Sequence, residues 1–486
     1  MSASISFPEI SWLALLPLLV LLGTSVMVLI GDLWSEGPDY DALGWLGLIG
    51  LAFTVIACLP LWNQQVTTLA GAVVLDRYGL FFTVLFCIGA ALSVLLSMNY
   101  LEATDIRTGD YYTLILFSTV GMVLMATSPD LIVIFLGLEV MSIAAYALAG
   151  IWRTQVRANE AALKYFLLGA FASGFFLFGI ALLFGASGST LLPDIAKVAA
   201  STGADQRLLL LAGTTLLLVG FGFKVAAAPF HSWAPDVYEG APTAVTAFMA
   251  VGIKAAAFAA FVRVFFDALA PLAADWREAL WWLAVATMTV GNVSALVQRN
   301  VKRMLAYSSI AHAGYVLAGM VAGSELGGAA VLFYLVAYTL MTVGAFAVVV
   351  ALGRRGQPNE NLEDFAGVGL RSPFLGFAMT VFMLSLAGVP PLAGFVAKVY
   401  LFSATLQAGY VWLTVIAVLN SLVSVYYYVG VLVKMYMSEG GAEVTAPSSR
   451  PYLFATLVLT IAGTVLVGLF PSGLFEIARR SFQALS

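Results

Sequence analysis

The chain has 486 residues, of which 62% are hydrophobic and 10% are charged. A soluble domain carries roughly 25% charged residues, and 22 basic plus 26 acidic side chains could not cover a soluble body of this size. The hydrophobicity excludes a disordered chain, two cysteines exclude a disulfide scaffold, and a net charge of −4 argues against a nucleic-acid partner. A polytopic membrane protein remains. In such a protein each charge inside a lipid-spanning helix needs a reason to be there.

The first ten residues, MSASISFPEI, contain no Lys or Arg. They lack the basic n-region of a secretory signal, so the apolar run at 12–30 reads as a retained first span. A bilayer core of about 30 Å needs about 20 apolar residues per helix. Fourteen such runs follow in order, at 12–30, 43–62, 79–98, 111–127, 131–149, 162–185, 208–228, 243–266, 279–297, 304–321, 327–352, 374–404, 410–436 and 452–470. The expected fold is therefore all-α, with about fourteen transmembrane helices. The seventh run ends at Pro229, with Pro235 and Pro242 beyond it, and the twelfth carries Pro390 and Pro391. Proline removes a backbone donor and clashes with the preceding turn, so helices 7 and 12 are predicted to be broken.

Fourteen spans put both termini on one side. Loops after odd-numbered spans hold ten basic residues (Arg107, Arg153, Arg157, Arg299, Lys302, Arg303, Arg354, Arg355, Arg371 and Arg450), and the opposite side holds six. That bias predicts both termini on the non-cytoplasmic side. The breaks at Pro229 and Pro390 each follow a stretch of similar spans, and five helices per repeat fit spans 4–8 and 9–13. An odd number of spans inverts the second copy in the membrane, a pattern of ion-translocating proteins with sites near the midplane. The predicted segments are 1–110, an N-terminal three-helix portion; 111–268, the first repeat and half-channel; 269–437, the second; and 438–486, a C-terminal helix.

A few charges fall inside the runs. Glu139 sits near the middle of span 5, where a lone carboxylate costs several kcal/mol as an ion. It is either a structural polar anchor or a proton-exchanging group. Lys224 precedes the break at Pro229 and Lys254 lies near mid-span, neither placed to snorkel. A lysine so placed can exchange a proton, unless it is pinned permanently to Glu139. Lys398 follows the second break, where freed carbonyls and water tolerate charge. His312 has Tyr307, Ser308 and Ser309 nearby and is either a satisfied core histidine or a relay. Lys164, near a helix start, can snorkel or relay. Arg263, Asp267 and Lys434 read as interfacial anchors, and Arg299, Lys302 and Arg303 as topology signal. Cys58 and Cys87 read as small core hydrophobes. No metal spacing and no haem, iron–sulfur or nucleotide motif is visible, so no cofactor is expected on this chain.

The segment FGFKVAAAPFHSWAPDVYEGAPTAVTAFMAVGIKAAAF, residues 221–258, resembles the hallmark of the proton-translocating antiporter-like family. That family includes three large membrane-arm subunits of respiratory complex I, the NADH–quinone oxidoreductase, and their relatives in Na⁺/H⁺ antiporter complexes. VKRMLAYSSIAHAGY (301–315) and SLAGVPPLAGFVAKVYLF (385–402) resemble the same family, and the resemblance is strong from about residue 75 to 437. It implies fourteen helices with two inverted five-helix repeats. It implies Glu139 and Lys224 as the charge pair of the first half-channel, Lys254 as the central lysine, and Lys398 as the residue of the second half-channel. Lys164 matches a family lysine in the sixth helix, and His231 a family histidine. Some sister subunits carry Glu where this chain has Lys398, which disfavours subunit M, and the chain is too short for the lateral helix of subunit L.

The resemblance implies a subunit of an H⁺-translocating NADH:quinone oxidoreductase in the cell inner membrane. Its neighbours would be antiporter-like subunit M and small subunit K. NADH, FMN, iron–sulfur clusters and quinone would belong to partner subunits. The alternatives are a subunit of a Na⁺/H⁺ antiporter or membrane-bound hydrogenase complex, and a scaffold whose buried charges only hold helices together.

Overall fold

The structure, a computed structural model, describes residues 10–34, 40–104, 106, 108–201, 203–353, 358–443 and 449–485, with the backbone alone at 204 and 205. Of the residues bearing on topology, Arg107, Arg354 and Arg355 lie outside the described residues. A segment in lipid must satisfy every backbone group internally, which selects helices. Helices α1 (Trp12–Trp34) and α2 (Tyr40–Cys58) pack together and lead into a short antiparallel hairpin, β1 (Val66–Thr68) and β2 (Val73–Leu75). Val66 pairs with Leu75 across it. This hairpin is the departure from an all-α chain among the described residues.

The helices α3 (Arg77–Thr104), α4 (Asp110–Thr127), α5 (Leu131–Ala149) and α6 (Val156–Ser187) follow. A short helix α7 (Leu192–Ser201) precedes α8 (Ala204–Lys224). α9 (Trp233–Gly240) lies beyond the first break. Then α10 (Thr243–Phe248), a π-helical turn at Met249–Ile253, α11 (Lys254–Arg263) and a second π turn at Val264–Ala268 form one continuous rod. The second half comprises α12 (Ala273–Ala295), α13 (Val301–Ala322), α14 (Glu325–Leu352), the single turn α15 (Val368–Arg371), α16 (Pro373–Ala387), α17 (Ala393–Gln407) and α18 (Val411–Met437). α19 (Pro451–Leu469) and α20 (Pro471–Gln483) close the chain.

Among the described residues twelve helices are long and apolar enough to cross a membrane. α12, diluted by Trp, Thr and Asn, is not one of them, and α16 and α17 are each 15 residues. The rod from Thr243 to Ala268, α13 and α14 form the buried centre, whereas α1, α2, α18 and α19 are each buried over no more than 39% of their spans. That arrangement puts Lys254 in the middle of the protein.

Both breaks appear where proline is found. α8 stops at Lys224, Ala226 takes a positive φ of 58°, and the Ala228–Pro229 peptide is cis. α16 stops at Gly388, whose φ of 89° suits a residue without a side chain, and the Pro390–Pro391 peptide is cis. In two corresponding helix pairs a glycine lets the neighbouring backbone approach closely. A Cβ on Gly121 of α4 would lie 2.5 Å from the Gly137 carbonyl of α5, and one on Gly314 of α13 would lie 2.5 Å from the Met288 nitrogen of α12. Small residues at membrane helix crossings let backbones pack directly. The second helix of each pair is capped alike: Asp130 accepts from Ile132 and Val133, and Asn300 from Arg303. Each capping residue also forms an isolated β-bridge, Asp130 with Leu191 and Asn300 with Asn361.

Candidate functional site

On α5, Glu139, Ser142 and Tyr146 recur at i, i+3 and i+7, so they share one helix face. Lys224 is the last residue of α8 and is 2% exposed. Its ammonium donates to Ser142 Oγ at 2.7 Å and to the Tyr146 hydroxyl at 3.2 Å. Glu139 is part-buried and accepts from Ser173 Oγ of α6 at 2.5 Å. Among the described residues no ion pair joins Glu139 to Lys224; two hydroxyls of α5 hold the lysine instead. Gly169 of α6 leaves room for this arrangement, because a Cβ there would run into the Tyr146 hydroxyl.

Lys254 follows the first π turn and is 4% exposed. π turns reorient side chains and recur at functional sites. Its Nζ donates to the Ser309 carbonyl at 2.7 Å and to Ser309 Oγ. The side chains of Tyr238 and Tyr338 also interact with Ser309. One turn along α13, His312 bonds the Tyr334 hydroxyl through Nδ1 at 2.5 Å and the Tyr428 hydroxyl through Nε2 at 3.0 Å. Tyr428 is bonded in turn to Ser308 Oγ. The ring is thus satisfied at both nitrogens, within a hydroxyl cluster that continues to the residue beside Ser309.

Lys398 reaches back across the second break. It donates to the carbonyls of Leu386 and Ala387, each at 2.9 Å, and to Ser421 Oγ at 2.8 Å. Its Nζ lies 5.3 Å from the centre of the Tyr315 ring. A Cβ on Gly388 would press on the Lys398 chain, so the glycine serves both the turn and the lysine. All three lysines are buried, and none has a carboxylate partner among the described residues. Acceptors without charge can let an ammonium go without stranding a counter-ion.

The sequence pattern of the family described as "NADH:quinone oxidoreductase/Mrp antiporter, TM" matches residues 128–424. A curated relative from Trichlorobacter lovleyi, named NADH-quinone oxidoreductase subunit N, is 47% identical over 99% of this chain and 98% of its own length. The chain belongs to the subunit N family. A chain of respiratory complex I from Thermus thermophilus, solved with bound aureothin, is 37% identical with a TM-score of 0.80, covering 95% of this chain and 98% of that one. A chain of the Mrp complex from Dietzia sp. has a TM-score of 0.84 over 98% of each chain at 20% identity, a likeness of fold alone.

The remaining expected site residues of this subunit N relative are placed as follows. Lys164 is not buried; it lies 2.8 Å from Glu160 and 2.9 Å from Asp236. Arg303 joins the same cluster through Asp236 and Glu239, each at 2.8 Å. These groups line an open notch of about 190 Å³. His231 stands in the break between α8 and α9, and its buried Nδ1 has no hydrogen-bond partner among the described residues. The structure does not bring Lys164 or His312 into contact with the other expected residues.

Two expectations are corrected. Arg263 is not an interfacial anchor: it is 3% exposed, grips both oxygens of Asp76 at 3.0 and 2.8 Å, and donates from Nε to the Ala126 carbonyl. Lys302 is not merely a loop charge: it is buried against Glu360 at 3.0 Å and the Ala241 carbonyl at 2.6 Å, beside a cavity of about 160 Å³. Neither partner is near in sequence, so apolar-run analysis could not supply it. Ser142 and Tyr146 are further residues that sequence reasoning missed, and Ser309 stands out in the sequence only as a neighbour of His312, not as the partner of Lys254. Their signal was helical spacing from a buried charge, or adjacency to His312.

Proposed function

We propose that this chain is a proton-translocating membrane-arm subunit of NADH–quinone oxidoreductase in the cell inner membrane. It moves protons through Glu139, Lys224, Lys254 and Lys398, with His312, His231 and Lys164 in supporting places. The observation that carries this reading is that three lysines lie buried in different helices, held by hydroxyls and carbonyls rather than by fixed carboxylates. A scaffold would pair such charges, as Arg263 is paired with Asp76. NADH oxidation and quinone reduction belong to partner subunits, which hold the NADH, FMN, iron–sulfur clusters and quinone; the membrane-arm neighbours are M and K.

The drive arrives as a change in field or shape. While Glu139 is charged it favours the ammonium at Lys224. When that charge is moved or neutralised, the proton passes toward Lys254 and then Lys398. About 1.36 kcal/mol of coupling changes the balance tenfold. Fourteen crossings fit the twelve long apolar helices together with α12 and the broken α16–α17. Close glycine crossings, matching helix caps and matching β-bridges in α4–α5 and α12–α13 favour two inverted repeats, 111–268 and 269–437, flanked by 1–110 and 438–486. In that register Ser309 stands nine residues past its cap, as Glu139 does. Basic loops favour both termini on the non-cytoplasmic side.

A redox-independent Na⁺/H⁺ antiporter reading would use the same residues, but a relative at 47% identity favours the oxidoreductase. The test is Lys224→Ala in the intact complex reconstituted into vesicles. NADH-driven proton translocation is expected to fall sharply while assembly persists. Full pumping would overturn the assignment.

A further inference from the structure

Against Tyr146, which is bonded to Lys224, stands Tyr165 of α6. It is fully buried, and its hydroxyl has no hydrogen-bond partner among the described residues. A buried hydroxyl without a partner costs roughly 1–3 kcal/mol. Phenylalanine would give the same packing without that cost, so packing alone does not account for tyrosine here.

The ring is fixed by two aromatic contacts. It meets Tyr146 edge-on at 4.6 Å and stacks on Trp233 at 4.6 Å and 8°. Trp233 meets Tyr238 edge-on at 6.1 Å. The indole N–H is already committed to the Phe223 carbonyl at 2.9 Å, so it cannot serve Tyr165. Tyr146 on one side and, behind Trp233, Tyr238 on the other are its tyrosine neighbours. Tyr146 is bonded to Lys224, and Tyr238 interacts with Ser309, which holds Lys254.

We infer that the Tyr165 hydroxyl relays the proton between Lys224 and Lys254. The inference rests on the proton-translocation reading and names the route within it. Ordered water is the natural partner of such a hydroxyl, since buried waters bond otherwise unsatisfied polar groups. In the transfer, the Lys224 ammonium gives up one proton and becomes an amine. Through Tyr146 or a water, that proton bonds to the Tyr165 oxygen, while the proton already on that oxygen leaves toward Tyr238. Lys254, as an amine, takes up one proton through Ser309 or water and becomes an ammonium. No electron moves, and Tyr165 ends as the same hydroxyl after rotation.

The test compares Tyr165→Phe with Lys224→Ala in the intact complex in proteoliposomes, reading NADH oxidation, proton uptake and complex assembly together. Tyr165→Phe keeps both ring contacts and removes an unpaired hydroxyl, so assembly is expected at the wild-type level. Proton translocation is expected to fall at least about tenfold, since a positioned proton-transfer group contributes roughly 10²–10⁴-fold and water can replace part of it. Loss of pumping in Lys224→Ala with wild-type pumping in Tyr165→Phe would overturn the relay and leave the function standing. Wild-type pumping in Lys224→Ala would overturn both. Failure of Tyr165→Phe to assemble would give the hydroxyl a structural role and overturn the relay.

Discussion

Replacing Asp76 by Asn removes one charge from a pair that is 3% exposed on both sides. The Arg263 guanidinium then keeps its bond to the Ala126 carbonyl and its place 4.9 Å from the Tyr78 ring centre, but loses its counter-ion. At 2.8 Å the attraction is ~6 kcal/mol for an effective dielectric of about 20. Desolvation of both ions offsets part of this, and breaking a buried pair from one side costs roughly 3–5 kcal/mol. Asn can still accept from Gly79 N, now bonded to Asp76 Oδ1 at 2.6 Å, which favours the lower end, about 3 kcal/mol. That is about two decades in a folding equilibrium. The assay is the yield of intact complex and its thermal inactivation temperature. Both are expected to fall in Asp76→Asn, while the proton-to-NADH ratio of surviving complexes stays unchanged. The double variant Asp76→Asn/Arg263→Gln is expected to recover most of the loss, because no charge is left buried alone. Wild-type thermal stability in the single variant, or equal losses in single and double, would refute the argument.

Gly169→Ala places a methyl group against the Tyr146 hydroxyl and moves it from Lys224. A hydrogen bond to a charged group is worth about 1.5–3 kcal/mol, so proton translocation measured with a pH-sensitive dye is expected to slow by one to two decades. Ser309→Ala removes one of the two acceptors that Ser309 offers to Lys254 Nζ and leaves the carbonyl, which accepts at 2.7 Å. A loss of about 1.5 kcal/mol predicts roughly tenfold slower translocation in the same vesicles, with assembly intact.

The positions of Lys224, Lys254 and Lys398 are legible in the sequence because each interrupts an apolar run. Both breaks are legible because proline marks them. Two things are not. The partner of a buried arginine is a tertiary fact: Asp76 is 187 residues from Arg263. The amphipathic α7 and α20 escape a search for long apolar runs because only one face of each is apolar. That Lys224 bonds Ser142 and Tyr146 and not Glu139 directly is not legible for a related reason. Side-chain reach along α5 favours Ser142 and Tyr146, which spacing alone puts on the same face but does not rank by distance.

The carbonyls of Leu386 and Ala387 that hold Lys398 are the terminal acceptors of α16. A helix end of this kind carries roughly half a negative charge from aligned peptide dipoles. That counter-charge is built into the backbone and cannot be protonated, whereas the carboxylate of Glu139 can. The two sites therefore differ in kind. A titration can switch off the anion at Glu139, but only a movement of α16 against α17 can change that beside Lys398.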